Sequence, residues 1–149
     1  MFIYGMEKIR MKKKSTAKKS TLIPASRKTA KATAVISRGT GKVFINKTPI
    51  EIITPWMARE RMLTPLELIG DDKDKVDINI RVSGGGYMGQ AEACAIAISR
   101  ALISHFKTKD IKTRISEFDK HLLSGDSRRS ESKKFGGPGA RRRKQKSYR

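Results

Sequence analysis

Three glycines near the middle of the chain have the spacing of a phosphate-binding loop. Gly84, Gly86 and Gly89 form the pattern G-x-G-x-x-G, directly after a segment with strand periodicity and directly before a helical one. Glycines at such positions let backbone amides approach a phosphate, and the partial positive charge at the helix amino terminus favours the anion. Asp110 follows about twenty residues later, where a dinucleotide fingerprint has its ribose-binding carboxylate. The spacing is therefore compatible with a nucleotide-dependent enzyme.

The pattern around the glycines argues against that enzyme. A dinucleotide fingerprint requires a second parallel strand that ends near the acidic residue, whereas the apolar residues within 111–122 fall at helical spacing. His105 and His121 have no evident nucleophile as a partner, so the sequence predicts no catalytic residue, metal site, cofactor or small-molecule substrate. Two interpretations of the loop stay open: contact with the phosphate backbone of an RNA, or a tight strand-to-helix turn that holds no ligand.

Cysteine content and hydropathy exclude several other classes of protein. Cys94 is the single cysteine and there are two histidines, too few for an intramolecular disulfide or a cysteine-rich zinc site. The longest mostly apolar run, residues 93–98, is far shorter than a membrane span, and the sequence has no hydrophobic leader before a cleavage site. We therefore expect a cytoplasmic protein that binds no membrane.

The formal charge of +20 is concentrated at the two ends of the chain. Residues 1–33 hold 10 lysines and arginines against 1 acid, residues 34–124 hold 14 against 11, and residues 125–149 hold 10 against 2. A nearly neutral centre between two basic arms is expected of a protein that follows a polyanion, because each neutralised phosphate releases condensed counterions. The alternative is a charged surface that serves solubility alone.

Alternation of apolar and polar residues predicts the strands that carry the glycine loop. Residues 29–36 and 43–45 alternate on either side of Gly39-Thr40-Gly41 and predict a hairpin, with a short strand at 50–53. Residues 76–82 alternate strictly between apolar and polar side chains, which predicts a strand with one core face and one polar face. A sheet of this kind is covered by helices on one side only.

Four helices are predicted around this sheet. Two short ones begin at Thr54-Pro55 and Thr64-Pro65, where a capping hydroxyl precedes proline, and Gly70 ends the second. Residues 90–106 form the central helix, and an amphipathic helix ends near Gly125. The expected fold class is a two-layer α/β (α+β) sandwich, with a mixed sheet covered by helices on one face and disordered basic extensions at both ends.

These patterns divide the chain into three segments. Residues 1–26 are rich in Lys, Ser and Thr, which predicts an N-terminal arm that is disordered when free. Residues 27–124 form one globular domain, and residues 125–149 form an extended basic C-terminal tail. This tail contains just two large apolar side chains, Phe135 and Tyr148, worth about 3–6 kcal/mol if buried. Because ordering such a tail costs at least about 25 kcal/mol, we expect it to become ordered only on a partner.

RNA is the partner that suits the composition of the tail. Its basic residues are interleaved with Phe135, Tyr148 and the flexible stretch 136–139. RNA offers phosphates to the cations and unstacked bases to the aromatic rings. A solvated tail without a partner is the alternative.

Several motifs occur together along the chain in a fixed order. They are G-G-G-Y-M-G-Q-A at 84–91, S-R-A-L at 99–102, G-D-S-R-R at 125–129, K-K-F-G-G-P-G-A-R at 133–141 and Q-K-S-Y-R at 145–149. Upstream, R-K-T-A at 27–30 and P-I-E at 49–51 extend the series. From about residue 27 to its end, the chain resembles small-subunit ribosomal protein nine in its archaeal and eukaryotic form.

The resemblance implies a structural component in the head of the small ribosomal subunit, and no enzyme. Its implied partners are small-subunit ribosomal RNA, the tRNA in the peptidyl site and neighbouring head proteins. The residues expected to bind ribosomal RNA are Arg27, Lys28, Gly84, Gly85, Gly86, Gly89, Arg128, Arg129, Lys133, Lys134, Phe135, Arg141, Arg142, Arg143 and Lys144. Those expected to lie near the tRNA anticodon stem are Lys146, Ser147, Tyr148 and Arg149.

Two other functions are compatible with the residues themselves. A free-standing nucleic-acid compactor would use the same basic arms without a docking site, and would bind duplex DNA as strongly as ribosomal RNA. A nucleotide-dependent enzyme would bind NAD or ATP saturably and lose that binding on Gly86→Val.

Overall fold

Five strands form one mixed sheet in the computed structural model, which describes residues 21–148. The predictions made for residues 1–20 and for Arg149 lie outside the described residues. The strands are β1 (Leu22–Arg27), β2 (Ala30–Arg38), β3 (Val43–Ile45), β4 (Thr48–Pro49) and β5 (Val76–Ser83). Their order across the sheet is β1-β2-β5-β3-β4, and β3 runs parallel to β5 while the other neighbouring pairs are antiparallel.

Four helices lie on one side of this sheet, and the central one packs directly on its strands. They are α1 (Trp56–Glu67), α2 (Tyr87–Phe106), α3 (Lys109–Phe118) and α4 (His121–Ser124). Helix α2 packs on β1, β2 and β5, while α1, α3 and α4 contact α2. Short 3-10 turns at Ile50–Ile52 and Gly70–Lys75 flank α1. The predicted fold class, a mixed sheet with helices on one face, is confirmed.

Small side chains bring the central helix close to the sheet. On β2, the inward residues are alanines at 30, 32 and 34, and on β5 they are Val76, Ile78 and Ile80. Helix α2 presents buried alanines at 91, 93, 95, 97 and 101 to this layer. Small alanine side chains on both layers let the helix backbone approach the sheet closely, with the isoleucines between them. The strands at 30–38 and 76–83 and the central helix are thus confirmed, with α2 beginning three residues earlier than predicted.

The predicted hairpin between residues 29–36 and 43–45 is wrong. Strand β5 lies between β2 and β3, and β3 pairs with β5 in parallel. The turn after β2 is instead held by Asp77 of β5, whose Oδ1 accepts hydrogen bonds from the amides of Thr40 (2.8 Å) and Lys42 (3.0 Å). The real hairpins are β1–β2, which turns at Lys28, and β3–β4, which turns at Asn46 and Lys47.

Four smaller boundaries also differ from the predictions. Residues 22–26, assigned to the N-terminal arm, belong to β1, where alternate residues Ile23 and Ala25 are buried. The short strand predicted at 50–53 is a 3-10 turn. Helix α1 continues through Thr64, whose hydroxyl donates to the Glu60 carbonyl (2.9 Å) instead of capping a new helix. The last amphipathic helix breaks at Asp119, which has extended backbone angles, and resumes as α4.

Candidate nucleic-acid interface

The glycine loop joins β5 to α2 and packs on the turn between β1 and β2. Gly84 and Gly85 have φ angles of +75° and +67°. A Cβ atom on Gly84 would lie 2.8 Å from the Thr29 carbonyl oxygen, and one on Gly85 would lie 3.1 Å from the amide nitrogen of Ala30. These two glycines are therefore required by backbone conformation and close packing.

Gly86 differs from its two neighbours. It has φ −95° and ψ 168° at the N-cap of α2, and a Cβ atom there would meet nothing within 4 Å. The packing of the protein therefore does not demand glycine at this position. The backbone around it is exposed, and the amino terminus of a 20-residue helix begins at the next residue. Both interpretations of the loop stay open, but the ligand-free turn accounts only for Gly84 and Gly85.

Basic and aromatic side chains surround this loop on the surface. Lys28, at the tip of the β1–β2 hairpin, is exposed and lines a groove together with Gly85, Gly86 and Tyr87. The Tyr87 side chain is 62% exposed. An adjoining groove along β1 and β2 is lined by Lys31 and Arg129. The structure thus brings Lys28, the glycine loop and Arg129 to one side of the domain.

Arg27 lies close to these groups but faces inward. Its guanidinium forms ion pairs with Glu92 of α2 and with Asp126, the latter at 3.0 Å. The side chain is 11% exposed, and that of Asp126 is 9% exposed. Residues 27 and 126 also form an isolated parallel β-bridge. Residues 124–128, here called the tail root, are therefore tied to the end of β1.

Arg128, whose side chain is exposed, also pairs with the Asp126 carboxylate. Its side chain donates to Asp126 at 2.6 Å and its amide donates to Oδ1 at 2.8 Å. Because these hydrogen bonds stabilise the carboxylate, with a further contribution from the charges of Arg128 and Arg27, the pKa of Asp126 is held well below its usual range. The pKa of Arg128 is raised by the same contact. Asp126 thus stays ionised throughout the neutral range and binds two arginines.

Beyond the root, the tail is exposed and carries its cations outward. Among the expected RNA contacts, Arg129, Lys133, Lys134, Arg141, Arg142, Arg143, Lys144 and Lys146 are all exposed. Phe135 is 94% exposed and Tyr148 is 87% exposed. Neither ring contributes to the protein core, so both are available to a partner. Within 127–149 the only acid is Glu131, which pairs with Arg141 (2.8 Å) and Lys134 (3.2 Å).

A closed loop interrupts the extended course predicted for the tail. The amide of Lys144 donates to the Gly136 carbonyl (3.1 Å), and Arg143 Nη1 donates to the Phe135 carbonyl (2.8 Å). A Cβ atom on Gly137 would lie 1.8 Å from the Arg142 carbonyl oxygen. The loop therefore needs its glycines, and it displays three consecutive arginines beside an exposed ring. Ser147 and Tyr148 lie beyond it, at the exposed end of the described chain.

Comparison with known proteins identifies the family. The family described as ribosomal protein S9/S16 matches residues 25–149. The chain belongs to the ribosomal protein S9/S16 family. It is 52% identical over 123 residues to the small ribosomal subunit protein uS9 of Desulfurococcus amylolyticus, an alignment that covers 83% of this chain and 88% of the relative.

Two further members of the S9/S16 family extend the match. The uS9 protein of Halobacterium salinarum is 50% identical, with 83% of this chain and 94% of the relative aligned. The uS9 protein of Saccharolobus solfataricus is 43% identical, with 91% of this chain and 99% of the relative aligned. The resemblance found in the motifs is confirmed, and so is the expectation that the chain is a structural protein and not an enzyme.

Membership of the S9/S16 family leaves the individual contact residues as predictions. Within residues 21–148, no group of three or more His, Cys, Asp or Glu side chains could hold a metal ion, and no helix is long and apolar enough to cross a membrane. The sequence did not assign a role to Arg100, Glu92 or Asp126, although Arg100 and Asp126 lie in the quoted motifs. Arg100 is the one lysine or arginine in the central helix, and this was the signal that could have revealed it.

Proposed function

We propose that this protein is a structural constituent of the small ribosomal subunit, in its head, where it binds small-subunit ribosomal RNA and touches the peptidyl-site tRNA. The observation that carries the proposal is the exposed basic tail of a folded family member. The relatives are named small ribosomal subunit proteins, and this chain aligns with nearly their full length. We further propose a cytoplasmic location in the ribosome, and neighbouring head proteins as additional partners.

The proposed ribosomal RNA contacts fall into two groups. The first lies on the domain, where exposed Lys28 flanks the glycine loop and Arg129 lines the adjoining groove. The second is the tail, where the exposed cations at 133–144 neutralise phosphates and Phe135 receives an unstacked base. Of the residues first expected to bind RNA, Arg27 supports this surface from behind, because its guanidinium is already paired with two carboxylates.

The proposed tRNA contact is the end of the tail, residues 146–149. Lys146, Ser147 and Tyr148 are exposed and follow the closed loop at 135–144. If the loop is anchored on ribosomal RNA, the last residues project beyond that anchor towards a second RNA. The three-segment division of the chain is part of the proposal. The domain binds ribosomal RNA through its surface, the middle of the tail binds ribosomal RNA through its cations, and the end of the tail contacts tRNA.

Removal of residues 133–149 tests the RNA-binding role of the tail. The deletion takes eight basic groups, so the slope of log affinity against log salt should fall by about 5–7 units. Affinity for a small-subunit RNA fragment is measured by filter binding at several salt concentrations. Equal affinity for duplex DNA and ribosomal RNA in the intact protein would instead favour a nucleic-acid compactor.

Removal of residues 147–149 tests the tRNA contact. Assembly into small subunits should persist through a high-salt sucrose gradient, while tRNA dissociates faster from the peptidyl site. Lys144→Ala is the matched control, because it also removes one positive charge but lies within the proposed RNA anchor. If both variants hold tRNA like the unaltered protein at physiological salt, the terminal residues do not contact tRNA.

A further inference from the structure

Two arginines at the junction of domain and tail differ from the cations that we propose to meet RNA. Arg27 is almost enclosed, and Arg100 sits within the central helix with its guanidinium pointing at the tail root. The tail cations at 133–146 are exposed, whereas Arg27 and Arg100 donate to acceptors on β1, α2, α4 and the tail root. These contacts join the tail root to the domain.

Arg100 joins three separate backbone carbonyls. Its Nε donates to Leu123 (2.9 Å), Nη2 donates to Ser124 (3.0 Å) and Nη1 donates to Pro24 of β1 (3.1 Å). The carbonyls of Leu123 and Ser124 lie at the end of α4, where they have no partner within the helix. The planar fork of an arginine reaches the three carbonyls from three separate nitrogens, whereas a lysine would have to reach them all from one ammonium nitrogen.

Gly125 fits this arrangement. Its φ of +82° turns the chain after α4, and a Cβ atom there would lie 3.4 Å from Arg100 Nη2. The next residue, Asp126, bridges to Arg27 both through its side chain and through the parallel β-bridge. Arg100 therefore fixes the turn that starts the tail, and Arg27 fixes the residue after the turn.

We infer that Arg27 and Arg100 are positioning residues that set the point and direction in which the tail leaves the domain. The inference rests on the proposed function, since the direction of the tail decides which RNA it reaches. We call these contacts of Arg27 and Arg100 the clamp. Without the clamp the chain would be free from about Gly125 onward, because Leu122 still holds α4 in the core, and this lengthens the flexible tether before the 133–144 segment. The effective concentration of a tethered segment falls roughly as the −3/2 power of tether length, so release should weaken tail binding at least about twofold.

The direct test measures the direction of the tail in the free, full-length protein. Spin labels on Ser132→Cys and Lys73→Cys, both at exposed positions, report the distance from tail to domain by pulsed electron resonance. The native Cys94 is buried and does not take up label. We expect Arg100→Gln to broaden the distance distribution. An unchanged width and mean would overturn the inference.

Two further variants separate positioning from charge and from general stability. Arg100→Lys keeps the positive charge but not the three-way fork, so it should broaden the distribution like Arg100→Gln, and full rescue by lysine would contradict the clamp. Arg61→Gln removes the nearby ion pair with Asp119 (3.2 Å), which does not contact residues 123–126. It should leave the distribution unchanged.

A variant that unfolds is recognised by its circular dichroism, and the double variant Arg27→Gln, Asp126→Asn then serves instead, because it leaves no unpaired charge between these two residues. The same variants placed in small subunits should release peptidyl-site tRNA at least about twofold faster, with Arg61→Gln unchanged. If the unaltered chain fails to enter small subunits, the proposed function is wrong. The distance measurement on the free protein still tests whether Arg27 and Arg100 fix the direction of the tail.

Discussion

Alanine at Gly84 and at Gly86 should have opposite consequences, although both positions belong to the same G-x-G-x-x-G pattern. At Gly84 the substitution places a side chain at φ +75°, which costs about 1–2 kcal/mol. Its Cβ would lie 2.8 Å from the Thr29 carbonyl oxygen, and relieving that clash moves backbone. We expect Gly84→Ala to lower the free energy of unfolding by about 2–3 kcal/mol in total.

At Gly86 no such strain exists. The φ of −95° suits alanine and no atom lies within 4 Å of the new methyl group. The restriction of the unfolded chain stabilises the protein by about 0.4–1 kcal/mol, and the poorer N-cap preference of alanine cancels roughly the same amount. The net change in the free energy of unfolding should be close to zero.

Urea denaturation of the two full-length variants, followed by circular dichroism, measures this difference, and equal destabilisation would refute the reasoning. The same pair then decides between the two interpretations of the loop. If the exposed amides bind an RNA phosphate, Gly86→Ala weakens RNA binding at unchanged stability, since the methyl group stands where the phosphate approaches. If the loop is only a turn, Gly86→Ala binds RNA as tightly as the unaltered protein.

Three further results are expected. Burial raises the pKa of the Cys94 thiol to about 12, so about one thiol in ten thousand is ionised at pH 8 and a maleimide should label it only after unfolding. Leu102→Ala should cost about 2–5 kcal/mol in a urea titration, because the side chain is fully buried. Amide hydrogen bonds from Lys42 and Thr40 lower the pKa of Asp77. Its contribution to stability is therefore complete above about pH 5 and is lost as the pH falls through the lowered pKa of the folded protein. Asp77→Asn should flatten this acid dependence of the unfolding midpoint.

Local periodicity was enough to predict the elements that carry their own pattern. Strand β5 alternates strictly, and α2 is long, apolar and rich in alanine, so both were found from the sequence. Strand β1 was missed because its six residues include a proline and directly follow a Lys-rich stretch. Two buried residues are too few to predict a strand, and they are buried only because β1 pairs with β2.

Pairing between distant segments could not be predicted in the same way. The hairpin expected at Gly39-Thr40-Gly41 would pair two strands that are neighbours in sequence. In the sheet, β5 lies between β2 and β3. Choosing between them requires knowing where α2 packs. The roles of Arg27 and Arg100 were hidden for the same reason, because their partners are brought near only by the finished fold.

The clamp at the tail root also constrains the order in which the protein can mature. Arg27 is 65 residues from Glu92 in sequence, and Arg100 is 76 residues from Pro24, so these contacts close long loops. Because a chain is synthesised from its amino terminus, the Arg27 side chain must wait for Asp126 to emerge, and the Pro24 carbonyl for Arg100, before these contacts can form. A chain that stops short of residue 123 would leave both guanidinium groups without these tail-root partners. The protein can thus direct its tail only after nearly all of the domain has been made.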